Sequence, residues 1–118
     1  MILPTIIATD FDGTLCENEW PRIGAPNLEL INYLKCKKER GARIILWTCR
    51  YGKELKDAVE WCKNYGLYFD AVNDNVKEAI EMFGGNNTRK VFAHEYIDDK
   101  FSNKFELPFT NDDDWDNW

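Results

Sequence analysis

Short unbroken apolar runs alternate along this chain with stretches whose apolar residues recur every three to four positions. Residues 5–9, Thr-Ile-Ile-Ala-Thr, form a continuous β-favouring run that ends in Asp10-Phe11-Asp12-Gly13, which predicts a buried strand entering a tight loop. A strand buried on both faces suggests a parallel sheet. After the stretch from Pro21 to Pro26, Leu30, Ile31 and Leu34 share one helical face, and Gly41 is placed to end that helix. Ile44, Ile45, Leu46 and Trp47 read as a second buried strand closing at Thr48. Leu55, Ala58, Val59 and Cys62 have the spacing of a second amphipathic helix, with Gly66 just beyond it. Residues 68–72 read as a third, shorter strand. Asn75 followed by Glu78 has the form of a capping box for a third helix, with Val76, Ala79, Ile80 and Phe83 on its apolar face and Gly84-Gly85 stopping it. A polar turn over residues 86–89 leads to a last strand over residues 91–97.

Strands alternating with helices predict an α/β fold: an open, mostly parallel, Rossmann-like sheet with helices on both faces. In such sheets ligands bind beyond the carboxyl ends of the strands. That rule selects Asp10, Thr48 and Asp98, each at the end of a predicted strand.

A length of 118 residues suits a single domain, with 44% hydrophobic and 31% charged residues as in ordinary globular chains. Residues 1–110 are expected to form that domain. Residues 111–118, acidic and aromatic, are expected to be a mobile tail. The net charge of −6 disfavours a surface built to neutralise many phosphates, so long nucleic acid is a poor partner. The apolar start is too short to span a bilayer and lacks a signal-peptide pattern, which makes a cytoplasmic location without membrane attachment the expectation. Cys16, Cys36, Cys49 and Cys62 contain no CxxC pair and read as free thiols; a single histidine leaves few ligands for zinc.

The most specific signal is Asp10-Phe11-Asp12-Gly13-Thr14-Leu15 after an apolar strand. Two carboxylates in alternation at a strand exit can converge on one reacting centre, one as nucleophile and the other as acid and base, while Gly13 permits the turn. The plainer alternatives are an Asx turn or helix cap, or a calcium loop. The calcium loop lacks the later oxygen ligands and final Glu of an EF-hand.

This string resembles the first motif of the haloacid dehalogenase (HAD) superfamily of phosphotransferases, an apolar strand followed by DxDGT and an apolar residue. The resemblance implies that Asp10 attacks phosphorus to give an aspartyl phosphate. Asp12 would protonate the leaving oxygen and then activate water, and Asp10 with the main-chain carbonyl of Asp12 would bind Mg²⁺. Residues 44–48 resemble the second motif, in which the hydroxyl of Thr48 bonds the transferring phosphoryl group. Gly13, Thr14, Cys49 and Arg50 would join Thr48 on the substrate side, although Arg50 reads equally as a solvated residue at a helix start. Tyr96-Ile97-Asp98-Asp99 resembles the fourth motif, paired acids completing the metal site, with Asp99 binding directly or through water. Crowded carboxylates with oxygen-only ligation suit Mg²⁺. The third motif requires a lysine: Lys90, before the last strand, or Lys77 on the third helix. His94 reads as a buried or edge histidine and is given no role.

The resemblance spans roughly residues 5–100 and leaves no room for a cap domain. Between the first motif and the next helix lies only a flap of residues 16–25, and Trp20, Arg22 and Tyr51 are candidates to cover the site in part. The expected function is a Mg²⁺-dependent phosphomonoesterase acting on a phosphorylated small molecule or an exposed phosphoester. The alternatives are another phosphoryl-transfer reaction on the same fold and a non-catalytic phosphate- or protein-binding module. Oligomeric state is left open.

Overall fold

The computed structural model describes residues 3–87 and 90–98. Its main sheet has four parallel strands, β1 (Ile6–Thr9), β4 (Arg43–Leu46), β5 (Ala71–Val72) and β6 (Glu95–Ile97), in the spatial order β5-β4-β1-β6. An antiparallel hairpin, β2 (Cys16–Glu19) and β3 (Arg22–Pro26), lies between β1 and the first helix. The helices are α1 (Leu28–Glu39), α2 (Gly52–Asn64) and α3 (Lys77–Met82).

Side chains alternate across the sheet and divide the core in two. Ile7, Ile44, Leu46 and Ile97 pack with Leu30, Ile31 and Leu34 of α1 and with Ala58 and Cys62 of α2. Ile6, Ala8 and Ile45 face the other way and pack with Val76 and Ala79 beside α3. Helices therefore cover both faces, and the faces of α1 and α2 are those the periodicity predicts. Counting the parallel strands alone in chain order, the sheet runs 3-2-1-4, so the direction of winding reverses at β1. The crevice beyond the end of that strand is where open α/β sheets bind ligands.

Four details differ from the sequence reading, and in three of them a side chain takes the place of a main-chain or capping partner. Residues 68–70 precede β5 rather than belong to it, because the side chain of Asp70 takes the amide of Ile44 at 2.8 Å in place of a strand carbonyl. Residues 91–94 likewise are not strand: the amide of Phe92 donates to Asn75 Oδ1 at 2.7 Å, that of Ala93 to the Tyr96 hydroxyl at 3.1 Å, and Ile6 N donates to His94 Nδ1 at 2.9 Å. Asn75 thus spends its side chain on this segment, not on a capping box; the N-cap of α3 is Val76, with no side-chain cap bond. Trp47 lies past the end of β4, 43% exposed, with its ring 5.4 Å from that of Tyr96. His94 is exposed at the sheet margin, the edge alternative of the sequence reading.

No helix among the described residues is long and apolar enough to cross a membrane. Residue 99 and the tail at 111–118 lie outside the described residues.

Candidate functional site

The loop after β1 is anchored from below. Phe11 and Leu15 are fully buried, and Phe11 packs edge-on against Trp61 at 5.5 Å, so the core holds the residues that flank Asp12. Main-chain bonds tighten the turn: Thr14 N and Leu15 N both donate to Phe11 O, and Gly13 N donates to Cys16 O at 2.9 Å. Gly13 takes φ +79°, a conformation that a side chain disfavours. Asn27, the N-cap of α1, accepts from Leu30 N and donates to Thr14 O at 3.1 Å, tying the start of that helix to the loop.

Asp10 follows β1 and keeps strand-like contact with its neighbour, its amide donating to Ile97 O at 2.8 Å. Its Oδ1 accepts from Phe11 N at 2.7 Å. Asp98 follows β6, the strand on the far side of the reversal in winding. Across β1 the loop after β4 supplies Thr48, whose amide donates to Asn73 Oδ1 at 2.8 Å. Asn73 holds that position from a left-handed conformation, φ 52°, with its own amide on Leu46 O. The Thr48 hydroxyl oxygen accepts from Arg50 N at 3.1 Å, which leaves its O–H hydrogen to donate elsewhere. Asp10, Thr48, Cys49 and Asp98 together line one cleft of about 260 Å³, with Trp47 and Tyr96 as its aromatic wall.

Asp12 does not line this cleft. Its carboxylate receives a bidentate pair from Arg50, Nε to Oδ2 and Nη2 to Oδ1, both at 2.8 Å. The remaining guanidinium hydrogens go to the carbonyls of Pro21, Arg22 and Glu54. Five N–H groups are all that arginine has, so none is left for a substrate anion. The group also lies between the rings of Phe11 and Trp20, at 5.0 and 4.9 Å from their centroids. The hydrogen bonds that Arg50 donates to Asp12 raise its pKa above the usual value. Arg50 is 2% exposed, which corrects the reading of a solvated residue, and its saturated donors correct the reading of an anion ligand.

The other candidates divide. Gly13 and Thr14 shape the loop and are not on the cleft; Thr14 is buried, and its amide stays within the turn. Lys90 is exposed and lines a neighbouring groove of about 500 Å³ with Phe83, Phe92 and Tyr96, so only Tyr96 connects it to the Asp10 cleft. Lys77 is exposed at the first turn of α3. Asp99 lies outside the described residues. No group of three or more His, Cys, Asp or Glu side chains placed to hold a metal occurs among the described residues. The oxygen donors on the cleft, Asp10 and Asp98, nevertheless suit Mg²⁺, which is held by one or two carboxylates and completes its shell with water and substrate phosphate.

Sequence reasoning missed Asn73, which fixes the Thr48 loop, and the clamp of Arg50 on Asp12. An Asn directly after a strand-ending Val is a signal for a left-handed turn residue; a partner 38 positions away leaves no local trace.

An open, three-layered α/β protein with carboxylates meeting at the reversal of its winding is the class these features define. The chain is similar to a solved structure, a conserved protein coded by a locus of Bacteroides thetaiotaomicron, with 39% identity and a TM-score of 0.70 over 82% of this chain and 77% of that one. It belongs to the same family as that protein. No family model and no curated protein matches the chain.

Proposed function

We propose that the protein is a Mg²⁺-dependent phosphomonoesterase with a HAD-like fold and no cap domain, working through an aspartyl phosphate on Asp10. The observation that carries this reading is the meeting of Asp10, Thr48 and Asp98 on one cleft at the reversal of the sheet's winding. A carboxylate oxygen of Asp10 attacks phosphorus, and the phosphorus–oxygen bond to the leaving group breaks with its electron pair on the departing oxygen. Asp12, which lines the adjoining cleft, exchanges one of its bonds from Arg50 for a proton, gives that proton to the departing oxygen, and then takes a proton from the water that hydrolyses the acyl phosphate. Thr48, with its oxygen already accepting from Arg50 N, donates its O–H to a phosphoryl oxygen. Arg50 acts on the reaction only through Asp12, as a positioning residue. The lysine charge that this reading asks for is assigned to Lys90, or else Lys77, neither of which lines the Asp10 cleft, so its side chain has to reach across to the phosphate.

When bound, Mg²⁺ supplies charge neutralisation between the aspartate and the phosphate dianion. Asp10, the main-chain carbonyl of Asp12, Asp98 and Asp99 would hold it. The hairpin β2–β3 is the one insertion between β1 and α1, and none of its residues lines the Asp10 cleft, which supports acceptance of bulky esters.

The test is turnover of a panel of phosphorylated sugars, nucleotides, peptides and p-nitrophenyl phosphate with Mg²⁺. Activity is expected to disappear in excess EDTA, to return with added Mg²⁺, and to be absent in Asp10→Asn. Undiminished turnover in excess EDTA overturns the metal requirement. No turnover across the panel returns the chain to the alternative of a non-catalytic phosphate- or protein-binding module.

A further inference from the structure

A second cleft, of about 240 Å³, adjoins the first and is lined by Asp12, Asn18, Trp20, Cys49, Arg50 and Tyr51. Cys49 lines both clefts, so an ester whose phosphate lies against Asp10 and Thr48 has the second cleft within reach of its other half. Building on the phosphoesterase reading above, we propose that this second cleft is the leaving-group subsite, and that it takes an uncharged aromatic ring.

Charge narrows the choice first. The two charged side chains on this cleft are Asp12 and Arg50, and they neutralise each other through two bonds of 2.8 Å. The three other guanidinium hydrogens are held by main-chain carbonyls. Among the described residues lining this cleft, a second phosphate or a carboxylate on the leaving group would meet no available cation, and its desolvation would go uncompensated.

The walls then favour a ring. Trp20 is 53% exposed and Tyr51 is 76% exposed, and both large aromatic side chains open onto this one cleft. Trp20 is held in place before any ligand arrives: the Arg50 guanidinium lies 4.9 Å from its ring centroid, and its amide donates to Asn18 Oδ1 at 3.3 Å. A ring already fixed in position loses little rotamer freedom when another ring stacks on it. Asn18 also offers its side-chain NH₂ as a hydrogen-bond donor to a ring edge.

The experiment compares pairs of esters that share the atoms around phosphorus and differ in the ring. One arm sets benzyl phosphate against ethyl phosphate, and the other sets nucleoside 5′-monophosphates against ribose 5-phosphate, all with the full chain and Mg²⁺. A ring is expected to raise kcat/KM by about tenfold, mainly through KM, the scale that stacking on an aromatic side chain supports. The arm in which the advantage appears identifies the ring as phenyl-like or as a base. Trp20→Ala and Tyr51→Ala should each shrink the advantage, and Tyr51, which is so exposed, serves as the variant that does not disturb folding. Equal kcat/KM with and without the ring, or a preference for leaving groups carrying a second phosphate, overturns the subsite while leaving the phosphoesterase standing. Failure of every ester to turn over removes both.

Discussion

Glu95 is the residue whose replacement should improve this protein, and only above a certain pH. It sits in β6, opposite Ile7, on the face covered by α1, and it is 3% exposed. One carboxyl oxygen accepts from the Tyr33 hydroxyl at 3.4 Å, while Oε2 has no hydrogen-bond partner among the described residues. Burial pushes its pKa up from 4.5 to about 7, against the opposing pull of the Lys37 charge and the Tyr33 hydrogen bond. Because the folded state holds this proton more tightly than the unfolded chain does, stability falls as pH rises between 4.5 and about 7 and is level beyond. The full loss amounts to about 3 kcal/mol. Glu95→Gln keeps an acceptor for Tyr33 and cannot ionise. Near pH 4 it replaces a neutral acid by a neutral amide, each leaving one polar group unmatched, so the two proteins should be of similar stability. At pH 8 the variant should be the more stable by about 3 kcal/mol, or roughly 10 °C in Tm for a chain of this size. Urea or thermal unfolding of both proteins from pH 4 to 8 measures this directly. A difference that stays constant over the range, or a wild type that gains stability towards pH 8 relative to the variant, would refute the reasoning.

Two further substitutions test the supports of the site. Arg50→Gln removes the bidentate partner of Asp12 and three ties to main-chain carbonyls, and should cost about 3 kcal/mol in urea unfolding; an effect under about 0.5 kcal/mol would mean that the clamp does not hold in solution. Asn75→Ala frees the amide of Phe92 and the contacts to Asn87 and the Lys90 carbonyl, and should cost about 2 kcal/mol while speeding hydrogen exchange at Phe92; unchanged exchange there would contradict its role as the anchor of residues 90–94.

The main-sheet strands and the helices were legible because burial imposes period. Leu30, Ile31 and Leu34 could face only inward, and the unbroken run of residues 6–9 had to be covered on both sides. Strand ends were less legible, since at Asp70, Asn75 and Tyr96 a side chain replaces the ladder partner, and no periodicity records such a substitution. The hairpin β2–β3 reads as an undivided flap because its residues are mostly exposed and show no alternation. At the site, Asp10, Thr48 and Asp98 could be selected by their place at strand ends. Arg50 could not be resolved, because its role depends on Asp12 and on three carbonyls that only the folded chain assembles.

The central claim is that Asp10 forms the covalent bond and Asp12 manages protons, and the most direct measurement is the mass of the protein during turnover. Asp12→Asn mixed with p-nitrophenyl phosphate and Mg²⁺ should release a burst of nitrophenol, because that leaving group departs without a proton, and should then stall with Asp10 phosphorylated. Intact-mass spectrometry followed by peptide mapping should find one base-labile phosphate, on Asp10, and none in the Asp10→Asn protein. Phosphate on any other residue, or undiminished steady-state turnover in either variant, would contradict the account.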